Sequence, residues 1–217
     1  MNVRGLLAVN MLLAAAMAGF AWWVAAGLEN GAELPIHWNA SGEVDRSAPA
    51  LFALLFPAGV SMLVGLLLAA TPNLEPLQDR LEASAPVMRA VWIGFILLMV
   101  YLQLMIAAPA FGWRLGPDLL LVGVGTLFVM VGNSLPKSRP SFFVGIRTPW
   151  TLTDTDNWIA THRLGGKLMM VAGGLLVLAA FVPIAPSAKV ATIIAAIAAT
   201  TVIPFTYSWW LWRKKVS

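Results

Sequence analysis

Charge is scarce in this chain and cysteine is absent: Asp, Glu, Lys and Arg make up 11% of the 217 residues. A water-soluble domain carries about a quarter charged residues, so this chain lacks the polar surface to coat a water-facing fold. The missing cysteines exclude disulfides, thiol nucleophiles and cysteine metal sites, and they leave the redox compartment open. Histidine is nearly absent too, with only His37 and His162.

What fills the chain is apolar, 59% of it. Six runs stand out: Leu6–Leu28, Leu51–Ala70, Val91–Ala110, Leu119–Leu135, Leu168–Ile184 and Val190–Trp212. Each is close to the roughly 17–25 residues a helix needs to cross a bilayer. None shows the alternation of a barrel strand, so backbone satisfaction in hydrocarbon leaves helices. The expected fold class is all-α: a polytopic membrane bundle of about six transmembrane helices. The first run also fits a secretory signal. It extends to Leu28 with no clear small-residue cleavage site before Glu29, and is read as a retained span.

Orientation follows from the positive charges. With the amino terminus inside, eleven of the fourteen Lys and Arg residues fall on the inner side. Arg46, Arg114 and Lys189 fall outside. This bias predicts that both termini face the cytoplasm. Trp209, Trp210 and Trp212 run into Arg213, Lys214 and Lys215, as expected at an inner interface, and Trp22 and Trp23 sit near the opposite one. Pro57 and Pro204 are expected to bend their helices, with Thr200 or Thr201 helping to satisfy the carbonyl that Pro204 strands. Small residues at four-residue spacing (Ala15 and Gly19; Ser61 and Gly65; Ala191, Ala195 and Ala199) predict close helix contacts. Two halves are expected: residues 1–110, three spans with an outer loop at 29–50, and 111–217, three spans with a cytoplasmic loop at 136–167.

The outer loop carries net charge −3, from Glu29, Glu33, Glu43 and Asp45 against Arg46. Pro35, His37, Asn39, Gly42 and Asp45 give it the punctuation of an ordered turn, with a short extended stretch around Ile36–Trp38. His37 with Glu43 and Asp45 either binds a cation and senses pH or holds the loop together by hydrogen bonds. No metal site is assigned, since His162 falls across the membrane.

The inner loop is richer. Thr148 precedes Pro149, which biases it to extended geometry. Thr153 or Asp154 suits an N-cap, and a helix from there runs through His162 into the fifth span. Trp158 and His162 then share a face. Gly165 and Gly166 permit a close approach or a kink. Asp154 and Asp156 are candidate partners for Arg147 and Arg163, and Phe142, Phe143, Trp150 and Trp158 for docking the loop on the bundle.

The run Gly145-Ile146-Arg147-Thr148-Pro149-Trp150-Thr151-Leu152, with Trp158, Thr161-His162-Arg163 and Gly165-Gly166, resembles the signature of the SdpI-type immunity proteins of bacteria. Pro35-Ile36-His37-Trp38-Asn39 with Gly42 and Asp45 is similar to the amino-terminal domain of unknown function often fused to it. Ser141 stands where the family often has asparagine, and Arg46-Ser47 departs from its usual continuation. The resemblance implies a multi-pass protein of the bacterial plasma membrane that gives resistance to a secreted toxic peptide. It further implies binding of that peptide and recruitment of a cytoplasmic transcriptional repressor; no direct nucleic acid binding, catalytic residue or cofactor is expected. Partner or ligand binding is then expected at Arg147, Thr148, Pro149, Trp150, Trp158, Thr161, His162 and Arg163. The alternative is an integral membrane enzyme or transporter acting on a lipid or small ligand at the inner interface. Against it, the spans hold Asn10, Tyr101 and Gln103 but essentially no ionisable group away from their ends.

Overall fold

The computed structural model describes residues 2–74, 82, 84–113 and 115–216; Arg80 and Arg114, used above for orientation, lie outside them. Six helices are long and apolar enough to cross a membrane. They are built on α1 (Val3–Ala26), α2 (Ala50–Leu74), α3 (Ala85–Ala107), α4 (Leu120–Ser134), α6 (Thr155–Phe181) and α7 (Pro186–Val216), with a one-turn helix α5 (Pro149–Thr153) before α6. The fifth long helix begins well before the apolar run at Leu168, because Asp154 caps it by accepting from the N–H groups of Asp156 and Asn157.

Helices α1, α2 and α3 are tied by two buried amides. Asn10 donates to the carbonyl and hydroxyl of Ser61 at 3.2 and 3.3 Å, and its oxygen accepts from the Trp92 indole at 2.8 Å. Gln103 donates to the carbonyls of Met17 and Leu54 at 2.8 and 2.9 Å. In a low-dielectric bundle an unpartnered amide is costly, so these residues fix the register of all three helices. Gly65 makes room, since a Cβ there would lie 2.5 Å from the Asn10 oxygen.

Helices α4 and α6 meet along glycine. Gly125 faces Gly173 and Gly132 faces Gly166, each so closely that a Cβ would fall 2.5–2.8 Å from the opposing carbonyl oxygen. The two glycines stand seven residues apart on each helix, so an antiparallel pair brings both into contact at once. Without a hydrophobic drive between helices in lipid, such close backbone approach supplies the dispersion contacts. α7 packs on α6, with Ala196 buried against Ala172, Leu176 and Ala179 among the core residues of this half. The expected small-residue pairs fare differently. Ser61 and Gly65 are buried, whereas Ala15, Gly19, Ala191 and Ala195 are exposed. Thr200 and Thr201 donate to the carbonyls of Ala196 and Ile197, not to the one Pro204 strands.

One element is not helical. Between α1 and α2 the chain forms a two-stranded antiparallel hairpin, β1 (Glu33–Trp38) and β2 (Val44–Pro49). The short extended stretch expected around Ile36–Trp38 is thus one arm of a pair. An isolated hairpin is marginal in water. This one is anchored by Leu34 and Ala48, which bury against Ala21, Val24 and Leu54. Its pairing slips around His37 and gives an irregular register toward the tip.

Candidate functional site

Residues 138–166 form a folded platform at the end of the bundle opposite the hairpin. Its centre is His162, fully buried like Trp158 and stacked on that indole at 3.9 Å between ring centroids. Nδ1 of His162 lies 2.7 Å from the Trp158 carbonyl oxygen, and Nε2 accepts from the Ile146 N–H at 2.8 Å. A carbonyl only accepts and a peptide N–H only donates, so the ring is the neutral tautomer with its proton on Nδ1. Both ring nitrogens are occupied. The backbone reaches His162 because Gly145 has φ +121°, and a Cβ there would collide with the His162 and Trp158 rings.

Hydroxyls and an amide complete the platform. Thr148 and Thr151 form a reciprocal capping box on α5, and the Thr151 hydroxyl also donates to the Ile146 carbonyl at 2.9 Å. The Thr148 hydroxyl sits 3.1 Å from that of Ser208 on α7, and Asn157 donates to the Ser208 carbonyl at 2.8 Å. Thr161 donates to Asn157 at 3.0 Å, and the Trp158 indole donates to Ser138 at 3.0 Å. No buried side-chain nitrogen or oxygen among the described residues lacks a partner.

Of the eight candidates from the sequence, Thr148, Trp158, Thr161 and His162 are buried in this network. Arg147, Pro149 and Arg163 are exposed. Trp150 is half-buried against Phe205 and Trp212 of α7. Two expectations are corrected. Asp154 and Asp156 face Lys215 at 2.7 and 3.6 Å rather than either arginine, because α7 brings its last turn to the start of α6. The Arg147 guanidinium instead donates to the Phe142 carbonyl at 2.6 Å. Trp150 and Trp158 do pack on the bundle, but Phe142 and Phe143 are 47% and 40% exposed.

Sequence reasoning passed over Ser138, Asn157 and Ser208. Asn157 and Thr161 carried a signal at i and i+4 on a helix. Ser208 carried none, since its partners lie 60 and 51 residues away.

At the other end, His37 pairs with Asp45 at 2.6 Å, while Asn39 accepts from the N–H groups of Ser41 and Glu43 and donates to the Glu43 carboxylate. Gly42 closes the tip with φ +85°, and Pro35 pairs with Ser47. The His37 hydrogen bond holds the Asp45 carboxyl below the usual carboxylate range. His37, Glu43 and Asp45 thus hold the turn together, and no cluster of three metal-ligating side chains occurs among the described residues. Beneath the tip lies a cavity of about 680 Å³, walled by α2, α3, the start of α4 and the amino end of α7.

Comparison with known proteins bears on the platform. Residues 137–208 match the SdpI/YfhL protein family. The chain is 30% identical over 89 residues to the Immunity protein SdpI of Bacillus subtilis (strain 168), covering 41% of this chain and 43% of that relative. The chain therefore aligns with less than half of the curated relative's length. No solved structure matches it. The six apolar helices and the likeness of residues 137–208 to the SdpI/YfhL family support a multi-pass bacterial membrane protein that carries an SdpI-like segment.

Proposed function

We propose that the protein is a membrane immunity protein that gives resistance to a secreted toxic peptide, sensing the peptide at the hairpin end and holding a cytoplasmic repressor at the platform. The observation that carries this reading is the likeness to an immunity protein, together with the family match on the segment that folds into the platform. The bias of positive charge toward that end favours a cytoplasmic platform and cytoplasmic termini. The buried half of the motif acts as scaffold, and the exposed Arg147 and Arg163 offer contacts to a partner.

The arrangement of α7 supports a link between the two ends. Its first turns, at Lys189 and Ile193, line the cavity below the hairpin. Its last turns bond the platform through Ser208 and Lys215. A ligand that favours one position of this helix thereby biases the platform, as coupling between sites requires.

An enzyme reading is less well supported. His162, the one histidine of the motif, has no ring nitrogen left for proton transfer.

The test is expression in a Bacillus subtilis strain lacking its Immunity protein SdpI, grown in mixed culture with its parent. The chain restores survival, and Arg147→Ala or Arg163→Ala abolishes it at unchanged membrane levels. If survival is not restored by a correctly inserted chain, the immunity reading is wrong.

A further inference from the structure

We propose that the cavity beneath the hairpin is a binding site for a cationic amphipathic peptide. The proposal deepens the immunity reading and rests on it for the biological source of the peptide.

The cavity has the size of a ligand site, about 680 Å³ against the roughly 300–1,000 Å³ usual for such sites. Phe56, Met99, Met105, Leu121 and Ile193 give it an apolar wall drawn from four different elements. Residues 36–42 of the hairpin form one side of the mouth, and Asp118 with Lys189 forms another.

Charge at the mouth selects the occupant. Lys189, the cation on the lining, is engaged by Asp118 at 2.5 Å, which offsets its charge. Behind the lining residues His37 and Asn39 stand the carboxylates of Asp45 and Glu43, each bonded to its neighbour. Glu33 is a third exposed acid at the base of the same hairpin, and of the hairpin's two bases, Arg46 and His37, the latter is engaged by Asp45. A ligand with apolar side chains for the wall and positive groups for the hairpin matches both halves of the site. An anionic amphiphile matches the wall and is repelled at the mouth.

The experiment uses the full chain in phosphatidylcholine nanodiscs. The probe is a fluorescein-labelled helical peptide of leucine and lysine, compared with its leucine–glutamate counterpart. Anisotropy is read against empty discs. The leucine–lysine peptide binds above the empty-disc level and the leucine–glutamate peptide does not. Ile193→Trp, which fills the cavity, weakens binding at least about tenfold. The double change Glu43→Gln and Asp45→Asn weakens it about threefold, and 0.5 M salt gives a similar loss. Val190→Phe, a smaller filling on the same wall, serves if Ile193→Trp does not fold.

Equal binding of the two peptides overturns the proposal, as does wild-type binding by a folded cavity-filled variant. So does a phospholipid that copurifies in native mass spectrometry and is lost on filling the cavity, since the site would then belong to lipid. The two readings fail separately. If Arg147→Ala removes protection in cells while Ile193→Trp leaves it intact, the immunity function stands and the cavity is not its peptide site.

Discussion

The peptide N–H of Ile146 donates to Nε2 of His162, sixteen residues along the chain, at 2.8 Å. The opposite ring nitrogen is spent on the Trp158 carbonyl one helical turn earlier, at 2.7 Å. A histidine held this way is a neutral strut between a loop and a helix.

Removing the strut therefore acts on stability before chemistry. His162→Ala leaves the Ile146 N–H buried without an acceptor, a loss of about 1–3 kcal/mol before the cavity is counted. His162→Gln, which retains an acceptor, recovers part of it. Thermal unfolding in detergent gives the ranking, and amide exchange at Ile146 locates it. Gly145→Ala produces a comparable loss by another route, since its φ of +121° disfavours a side chain by about 1–3 kcal/mol and the new methyl meets the Trp158 ring. Wild-type exchange at Ile146 in His162→Ala refutes the strut.

The glycine seam makes a contrast within one residue type. Gly166→Ala or Gly173→Ala drives a methyl into the backbone of α4, against carbonyl oxygens 2.5–2.6 Å from the new atom. Neither helix yields cheaply there, and detergent stability falls. At Gly19 nothing lies within 4 Å of the added methyl, so Gly19→Ala is neutral or slightly stabilising through helix propensity. Equal effects at the three positions rule out the seam as the determinant.

Asp154 both caps α6 and pairs with Lys215. The cap outweighs the pair. Asp154→Ala costs about 0.5–2 kcal/mol through the two orphaned N–H groups, whereas Lys215→Ala removes a solvent-screened contact and shifts unfolding little. Asp154→Ser, which keeps the cap and loses the charge, separates the two in the same melting assay. If it melts like Asp154→Ala, the ion pair dominates instead.

The hairpin tip has an acid limit. The Asp45 carboxyl is held below its ordinary value, so the unfolded chain binds the proton more readily than the folded one. Its contribution is complete above the unfolded pKa of about 4 and is lost as pH falls through the folded value. NMR titration of the Asn39 and Gly42 amides reports this loss in the wild type. In Asp45→Asn the acid step disappears. Persistence of the step in that variant assigns it to another carboxyl.

Much of the architecture was legible because lipid imposes a one-dimensional rule. Length and apolarity alone mark the six helices, and Thr148 before Pro149 and Asp154 before the fifth helix mark its caps locally. The platform was legible as a motif but not as a mechanism. That Arg147 and His162 occur in one short run says nothing of one being exposed and the other sealed.

Sequence by itself determined what is decided over a few helical turns: membrane residence, the six helices, the caps and the turn chemistry of the hairpin. Only the tertiary structure decided which partners distant residues meet, since those choices depend on how the helices lie side by side. It set Lys215 rather than an arginine on Asp154, joined Ser208 to Thr148, matched Gly125 with Gly173, and left a cavity under the hairpin. Local spacing cannot encode these contacts because each joins helix faces whose rotation is fixed only when the bundle packs.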